Sequence, residues 1–219
     1  LNLSNVNVPL AYSGAKNTFT ASNATANLYG GSAQNNFSIN LNNFKFNDDL
    51  SASNFEINDL IKDLVGKLGG NVTGKGKLNL KLSGDASKGV KYSGNGNFSV
   101  GTGAVTGFKW LDLATRLYNS KGINYQNVNA PFTLQTGKLI LAKNSAVNAP
   151  KNDRIYKFAK LTQDSAINFS NTKNITLNIL ADLSLNYQLV NALAGGGAGG
   201  LDAVLNGGAT AKDILLNAI

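Results

Sequence analysis

The sequence predicts a mainly β protein with a few short helices, built from antiparallel strands. Three observations lead there. Apolar side chains fall on every second position in many separate stretches, the period of a strand with one buried face. Asn, Ser, Thr and Gly fill the alternate positions and the breaks between stretches, as polar strand faces and turns require. No strand–helix–strand rhythm recurs, which argues against a parallel, doubly wound sheet.

The elements follow in chain order. "LNLSNVNVPLAY" alternates at Leu1 and Leu3, then slips phase to Val6, Val8, Leu10 and Tyr12. "TASNATANLYGGS" is a further strand that turns at Gly30-Gly31. "NNFSINLNNFKFN" sets Phe37, Ile39 and Leu41 on one face, and Phe44 and Phe46 follow in the opposite phase. That slip calls for a bulge or turn at Asn42-Asn43. "EINDLIKDLVGKLGG" carries Ile57, Leu60, Ile61, Leu64, Val65 and Leu68 at helical spacing, so a helix is expected near 57–68, stopped by Gly69-Gly70. Strands resume on Leu78, Leu80 and Leu82 and again around Phe98 and Val100. A second short helix is expected near 108–118, with Phe108, Leu111, Ala114, Leu117 and Tyr118 inward. "VNAPFTLQTGKLILAKN" reads as a hairpin turning at Gly137; "DRIYKFAKLTQD" fits helix or strand; "SAINFS" is a strand.

The longest alternation is "NITLNILADLSLNYQLV", with Ile175, Leu177, Ile179, Ala181, Leu183, Leu185, Tyr187 and Leu189 in phase. As one strand it would reach about 48 Å at ~3.4 Å per residue, against roughly 17–20 Å for an ordinary strand. It is either that long or bent midway at Ala181-Asp182. Residues 1–190 therefore form one β domain. Residues 191–219 form a tail with a Gly cluster at 195–200 and two short helical pieces.

Composition narrows the chemistry. The 219 residues contain no His, no Cys and no Met. There is then no Ser-His-Asp triad, no thiol nucleophile and no thiolate metal site. Lacking Met, the chain reads as a mature product or a piece of a longer one, whose anchor or export signal would lie upstream. Acidic residues number 12 and Glu56 is the sole Glu. Asp48-Asp49 reads as solvated turn acids; in a strand the two would point to opposite sides and make no glycosidase dyad. "GGNVTGKG" opens like a phosphate loop but has Gly76 where Ser or Thr must follow, and strand pattern where a helix must follow. No catalytic residue, cofactor or metal is assigned. The net charge of +8 comes from scattered Lys that keep β edges soluble. No basic–aromatic strand motif points to nucleic acid.

What remains is apolar strand surface that two short helices cannot cover. It is read as the lining of a groove for lipid chains, with Phe37, Ile39, Leu41, Leu78, Leu80, Leu82, Ile175, Leu177, Ile179, Leu183 and Leu185 as candidates. Pattern alone equally permits a sealed core in a structural or surface envelope protein, such as an adhesin or passenger-like domain.

Three passages resemble the C-terminal region of the AsmA-like family of bacterial envelope proteins: "ATANLYGGSAQNNFSIN", "FEINDLIKDL…VTGKGKLNLKLSGDA" and "YSGNGNFSVGTGAVTGFKWLDLATRL". They span about residues 24–118, with a looser match to about 189. The resemblance implies a long, curved antiparallel sheet forming an open, gutter-like groove with an apolar concave face. It implies a periplasmic location, anchored to the inner membrane by an upstream helix. As in related TamB-type bridge proteins, the role implied is passive passage of phospholipid, or another acyl-chain lipid, toward the outer membrane, supporting its integrity. An envelope protein partner would sit at the end of the bridge. The Gly-rich tail has no counterpart in the resemblance.

Overall fold

A computed structural model describes residues 2–65, 70–108, 120–170 and 176–186. They are almost entirely strand. β1 (Leu3–Asn7), β2 (Leu10–Ser13), β3 (Thr18–Leu28), β4 (Gly31–Asn40) and β5 (Lys45–Glu56) lead directly into helix α1 (Ile57–Val65). β6 (Asn71–Val72), β7 (Lys75–Asp85), β8 (Lys91–Val100), β9 (Gly103–Thr106), β10 (Gly122–Tyr125), β11 (Asn127–Gln135) and β12 (Lys138–Leu141) follow. The described chain closes with β13 (Ala146–Asn148), β14 (Tyr156–Leu161), β15 (Ser165–Asn168), β16 (Thr176–Asn178) and β17 (Ala181–Leu185).

Fourteen strands make one antiparallel sheet with the backbone order β1-β3-β4-β5-β7-β8-β11-β12-β15-β16. The sheet is not closed into a barrel: at one end β1 and β2 pair β3 alone, and at the other β16 pairs only β15. A second, three-stranded sheet runs β10-β9-β6. Sequence neighbours are mostly spatial neighbours, because two- to four-residue turns suffice to reverse an antiparallel chain.

Three phase slips in the apolar pattern coincide with three bulges. The ladders shift between Ser4 and Asn7, Ala21 and Ala24, and Ser53 and Phe55. Inside each shift sits an asparagine in the left-handed region: Asn5 (φ 50°), Asn23 (φ 54°) and Asn54 (φ 60°). Asparagine tolerates that region better than other side chains with a Cβ. The extra residue lets Ala52 and Phe55, three apart in sequence, project from the same side. Val6 follows Leu3 and Ala24 follows Ala21 for the same reason.

Past β11 the sheet divides. The second half of β11 pairs β12 and its first half pairs β13. β15 and β16 then add to β12, while β14 and β17 add to β13. The interruptions fall in line across three strand paths, at 142–145, 162–164 and 179–180. The line begins at Pro131, which has no N–H for a ladder. Its carbonyl instead accepts from Ala142 N–H (2.9 Å) and the Ser145 hydroxyl (3.5 Å). Leu161 N–H then donates to Ser145 O (2.9 Å), and Thr162 N–H to Leu180 O (3.2 Å). Residues 176–185 are therefore two short strands broken at Ile179-Leu180, not one long strand and not a bend at Ala181-Asp182.

Other expectations need correction. The turn expected at Gly30-Gly31 is Tyr29-Gly30, both at positive φ (45° and 75°), a type I′ geometry, and Gly31 already belongs to β4. Asp48-Asp49 lies within β5, not in a turn. The ambiguous "DRIYKFAKLTQD" supplies β14. The slip at Asn42-Asn43 is a turn, and α1 matches the described part of the helix near 57–68. Of the helix near 108–118, only Phe108 lies within the described residues; the tail at 191–219 lies outside them.

The buried core sits at one end of the large sheet. Tyr29, Ala52, Phe55, Ile57, Val100 and Tyr125 pack together with Leu60 and Ile61 of α1, Val72 and Val105 of the small sheet, and Leu78, Phe98 and Val128. Phe55 is the most enclosed, at 1% exposure, with its ring 6.4 Å from that of Phe98. The Tyr29 hydroxyl donates to Asp63 Oδ2 (2.6 Å), tying the I′ turn to the helix. That bond holds the Asp63 carboxyl below its usual range and pushes the Tyr29 phenol up. A smaller cluster joins Ile155 and Tyr156 to Ile123, Val147, Ala149 and Leu185. Burial, with Asp153 nearby, pushes the Tyr156 phenol up to about 12.

Two predictions follow from the backbone and the core. Asn23→Val should cost about 1–2 kcal/mol of stability in urea unfolding, while Asn23→Gly should stay within about 0.5 kcal/mol, because only Val resists positive φ. Tyr156 holds its proton more tightly when folded than when unfolded. Its contribution is therefore complete below about pH 10 and declines as pH rises toward about 12. Urea midpoints measured from about pH 9 upward should fall more steeply in the natural protein than in Tyr156→Phe.

Candidate functional site

Residues directly opposed in an antiparallel pair project from the same side of the sheet. The registers therefore assign sides without further assumption. Leu82 opposes Asp48 and Gly94; Asp48 opposes Phe37; Phe37 opposes Ala21; Ala21 opposes Leu10. In the other direction Gly94 opposes Leu134, then come Leu139, Ile167 and Leu177. One row thus crosses ten strand positions. A parallel row runs Ala24, Asn35, Leu50, Leu80, Gly96, Phe132 and Leu141. A third runs Phe19, Ile39, Phe46, Gly84 and Tyr92.

This side brings together Phe37, Ile39, Leu78, Leu80 and Leu82 from the sequence candidates; Leu177 is the register partner of Ile167, and its side chain lies outside what the structure describes. Leu183 joins them through Ala159, Val147 and Val128, and Leu185 follows by alternation on β17. Leu41 lies in the turn after β4 and Ile179 at the break before β17, so neither is placed by a ladder. Ile175 lies outside the described residues. The sequence reading missed Phe19, Leu50, Phe132, Leu134, Leu139, Leu141 and Ile167. Their signal was present as local alternation, but each strand is too short for its phase to be matched to a neighbour without the register.

Exposure differs between the two sides. Along β7 the residues from Gly76 to Gly84 on this side are buried or half-buried, while Lys75, Lys77, Asn79, Lys81 and Ser83 between them are exposed. Phe37, Ile39, Leu80 and Leu82 are half-buried. Leu183 is 60% exposed and Ile179 39%. Leu78 reaches the main core and Leu185 the smaller one. Phe37 stacks on Phe46 with ring centroids 6.1 Å apart. Glycines make room for large neighbours: a Cβ on Gly76 would strike the Phe55 ring, one on Gly84 the Phe46 ring, and one on Gly96 the Phe132 ring.

Over β5 and β7 the opposite side is polar. Asp49 forms an ion pair with its register partner Lys81 (3.0 Å), Glu56 pairs with its own partner Lys75, and the Ser32 and Ser53 hydroxyls are 3.1 Å apart. Asp48 and Asp49 thus serve different sides and make no acid–base pair. No group of three or more metal-ligating side chains gathers among the described residues. No described helix is long and apolar enough to cross a membrane.

No family model, curated protein or solved structure matches this chain.

If Gly96 is the space that seats Phe132, Gly96→Val should cost about 1–3 kcal/mol. Chemical unfolding of this variant beside Ser99→Val, on the polar side of the same strand, checks it; Ser99→Val should cost less than about 0.5 kcal/mol.

Proposed function

We propose that the side carrying Phe37, Leu80 and Leu82 is an open, apolar trough that binds the alkyl chains of a lipid. The observation that carries this reading is the combination of exposure and coverage. Large aliphatic and aromatic side chains share one side of a long sheet that does not close on itself. Among the described residues, helix α1 and the small sheet pack over one end. Elsewhere on this side the described large side chains are half-buried, such as Leu80 and Leu82, or exposed, such as Leu10 and Leu183.

The dimensions suit a hydrocarbon. A row crossing ten strand positions is on the order of 40 Å wide at ~4.8 Å per strand. Each fully buried CH₂ contributes about 0.8 kcal/mol, so a chain lying across several strands offsets the cost of immobilising it. The polar side keeps its Lys, Asn and Ser in water. The activity is passive: hydrocarbon leaves water for the trough while a headgroup stays at the open side.

The larger setting belongs to the same proposal: a lipid-conduit domain of a bacterial envelope protein, of the AsmA-like kind, carrying phospholipid between membranes. The order of the three passages quoted above supports it, together with the antiparallel architecture.

Native mass spectrometry of the protein incubated with phosphatidylglycerol vesicles tests the binding claim. The natural chain should carry bound lipid. Leu80→Asp and Leu134→Asp should reduce the bound fraction at least about tenfold, with circular dichroism unchanged. Ser83→Asp, on the polar side, should bind as before. Absence of lipid from the natural chain, or equal loss in all three variants, would refute the trough.

A further inference from the structure

Within the side that the trough reading fills with hydrocarbon stand two polar side chains whose buried oxygens find no donor among the described residues, and they are adjacent; buried Ser165 on the same side donates its hydroxyl to Gln163 O (3.3 Å). Asp48 opposes Phe37 on one flank and Leu82 on the other. Asn35, on the neighbouring strand, opposes Leu50, two residues from Asp48, so the two lie diagonally across one strand pair. Their surroundings are Phe37, Leu50, Leu80 and Leu82. Asp48 Oδ1 and Asn35 Oδ1 are both buried at the atom level, and neither has a hydrogen-bond partner. Every other acidic side chain of β5 and β7 is matched: Asp49 by Lys81, Glu56 by Lys75, and Asp85 by Ser87 (2.8 Å to its N–H).

An oxygen buried among hydrocarbon without a donor costs free energy, and a carboxyl costs most. A purely structural strand face would gain by carrying Leu or Val at both positions. We propose that Asp48 and Asn35 form a polar anchor in the trough, which takes a hydrogen-bond donor carried by the bound amphiphile, an ammonium before all others. Two acceptors side by side, with apolar rows on either flank, fit a molecule that joins a hydrocarbon chain to a cationic amine. The Lys residues of the sheet project from the other side, at Lys75, Lys77 and Lys81, so none of these three competes for the site. This inference rests on the trough reading and adds the chemical class of its ligand.

Displacement of a neutral apolar dye, Nile red, separates the two claims. Dodecylammonium and methyl dodecanoate would be titrated below their aggregation limits into the natural protein, Asp48→Asn and Asp48→Leu. The ester has the same chain length but donates no hydrogen bond. The natural protein should prefer the ammonium by at least about tenfold. Asp48→Asn, which keeps an acceptor and the shape, should retain part of that preference. Asp48→Leu should bind the ester at least as well and lose the preference to within about twofold. Dye and ester binding with no preference for the ammonium in the natural protein would overturn the anchor and leave the trough standing. The same preference in Asp48→Leu would also overturn it, assigning Asp48 a structural role. Failure of dye and ester alike to bind would remove both.

Discussion

The constraint on which this structure depends is strand register. A side chain alternates with period two, so a slip of one residue in any ladder would carry its large residues to the opposite side. The row holds Leu10, Phe37, Leu82, Leu134 and Ile167 together only because each pairing is kept in phase with the next. Asparagines hold it. At Asn5, Asn23 and Asn54 the chain spends one extra residue in a left-handed turn, and the apolar pattern shifts phase at the same places. Each bulge corrects a slip written into the sequence. The bulge at Asn54 also delivers Phe55 to the core, where α1 begins two residues later.

Pro131 imposes the second constraint. A proline inside a sheet removes one ladder bond, and the strands beyond it cannot run unbroken at that level. The breaks at 142–145, 162–164 and 179–180 extend that missing bond across three strand paths. They divide the far half of the sheet into two short-stranded branches. Ser145 and Ser165 are buried along this line, at 6% and 0% exposure, and their hydroxyls bond carbonyls of Pro131 and Gln163. The result is a sheet in which β3, β4, β5, β7 and β8 have ten to twelve residues, while the strands after β11 have three to six.

Much of this was legible in the chain, and what was not has physical causes. Alternation located β3 to β5, β7, β8 and the β11–β12 hairpin, and the helical spacing of Ile57, Leu60 and Ile61 located α1. The phase slip between Leu3 and Val6 was visible, but that an asparagine caused it was not, since Asn is as common in these strands as in their turns. The break in residues 176–185 was hidden because its origin, Pro131, is remote in sequence and acts through two intervening strands. Asp48-Asp49 resembled a turn because two adjacent acids rarely enter a strand; here one finds Lys81 and the other is left among apolar residues. For the site, the candidates on β4 and β7 were found because those strands are long. The partners on β11, β12 and β15 needed the register to be assigned to the same side.

Seen together, the two sides of the sheet perform different work. On β5 and β7 the polar one pairs Asp49 with Lys81 and Glu56 with Lys75 across the strands and keeps Lys77 and Asn79 exposed. On the other, α1 and the small sheet pack with Phe55, Leu78 and Phe98 at one end, and the proposed trough would occupy the rest. The most direct measurement is photolabelling with a fatty acid carrying a mid-chain diazirine, followed by peptide mapping. Labels should fall on Phe37, Leu50, Leu80, Leu82, Leu134 and Leu139 and be displaced by excess unlabelled lipid. Labels on Lys77, Asn79 and Lys81 instead, or none that lipid displaces, would contradict an open apolar trough.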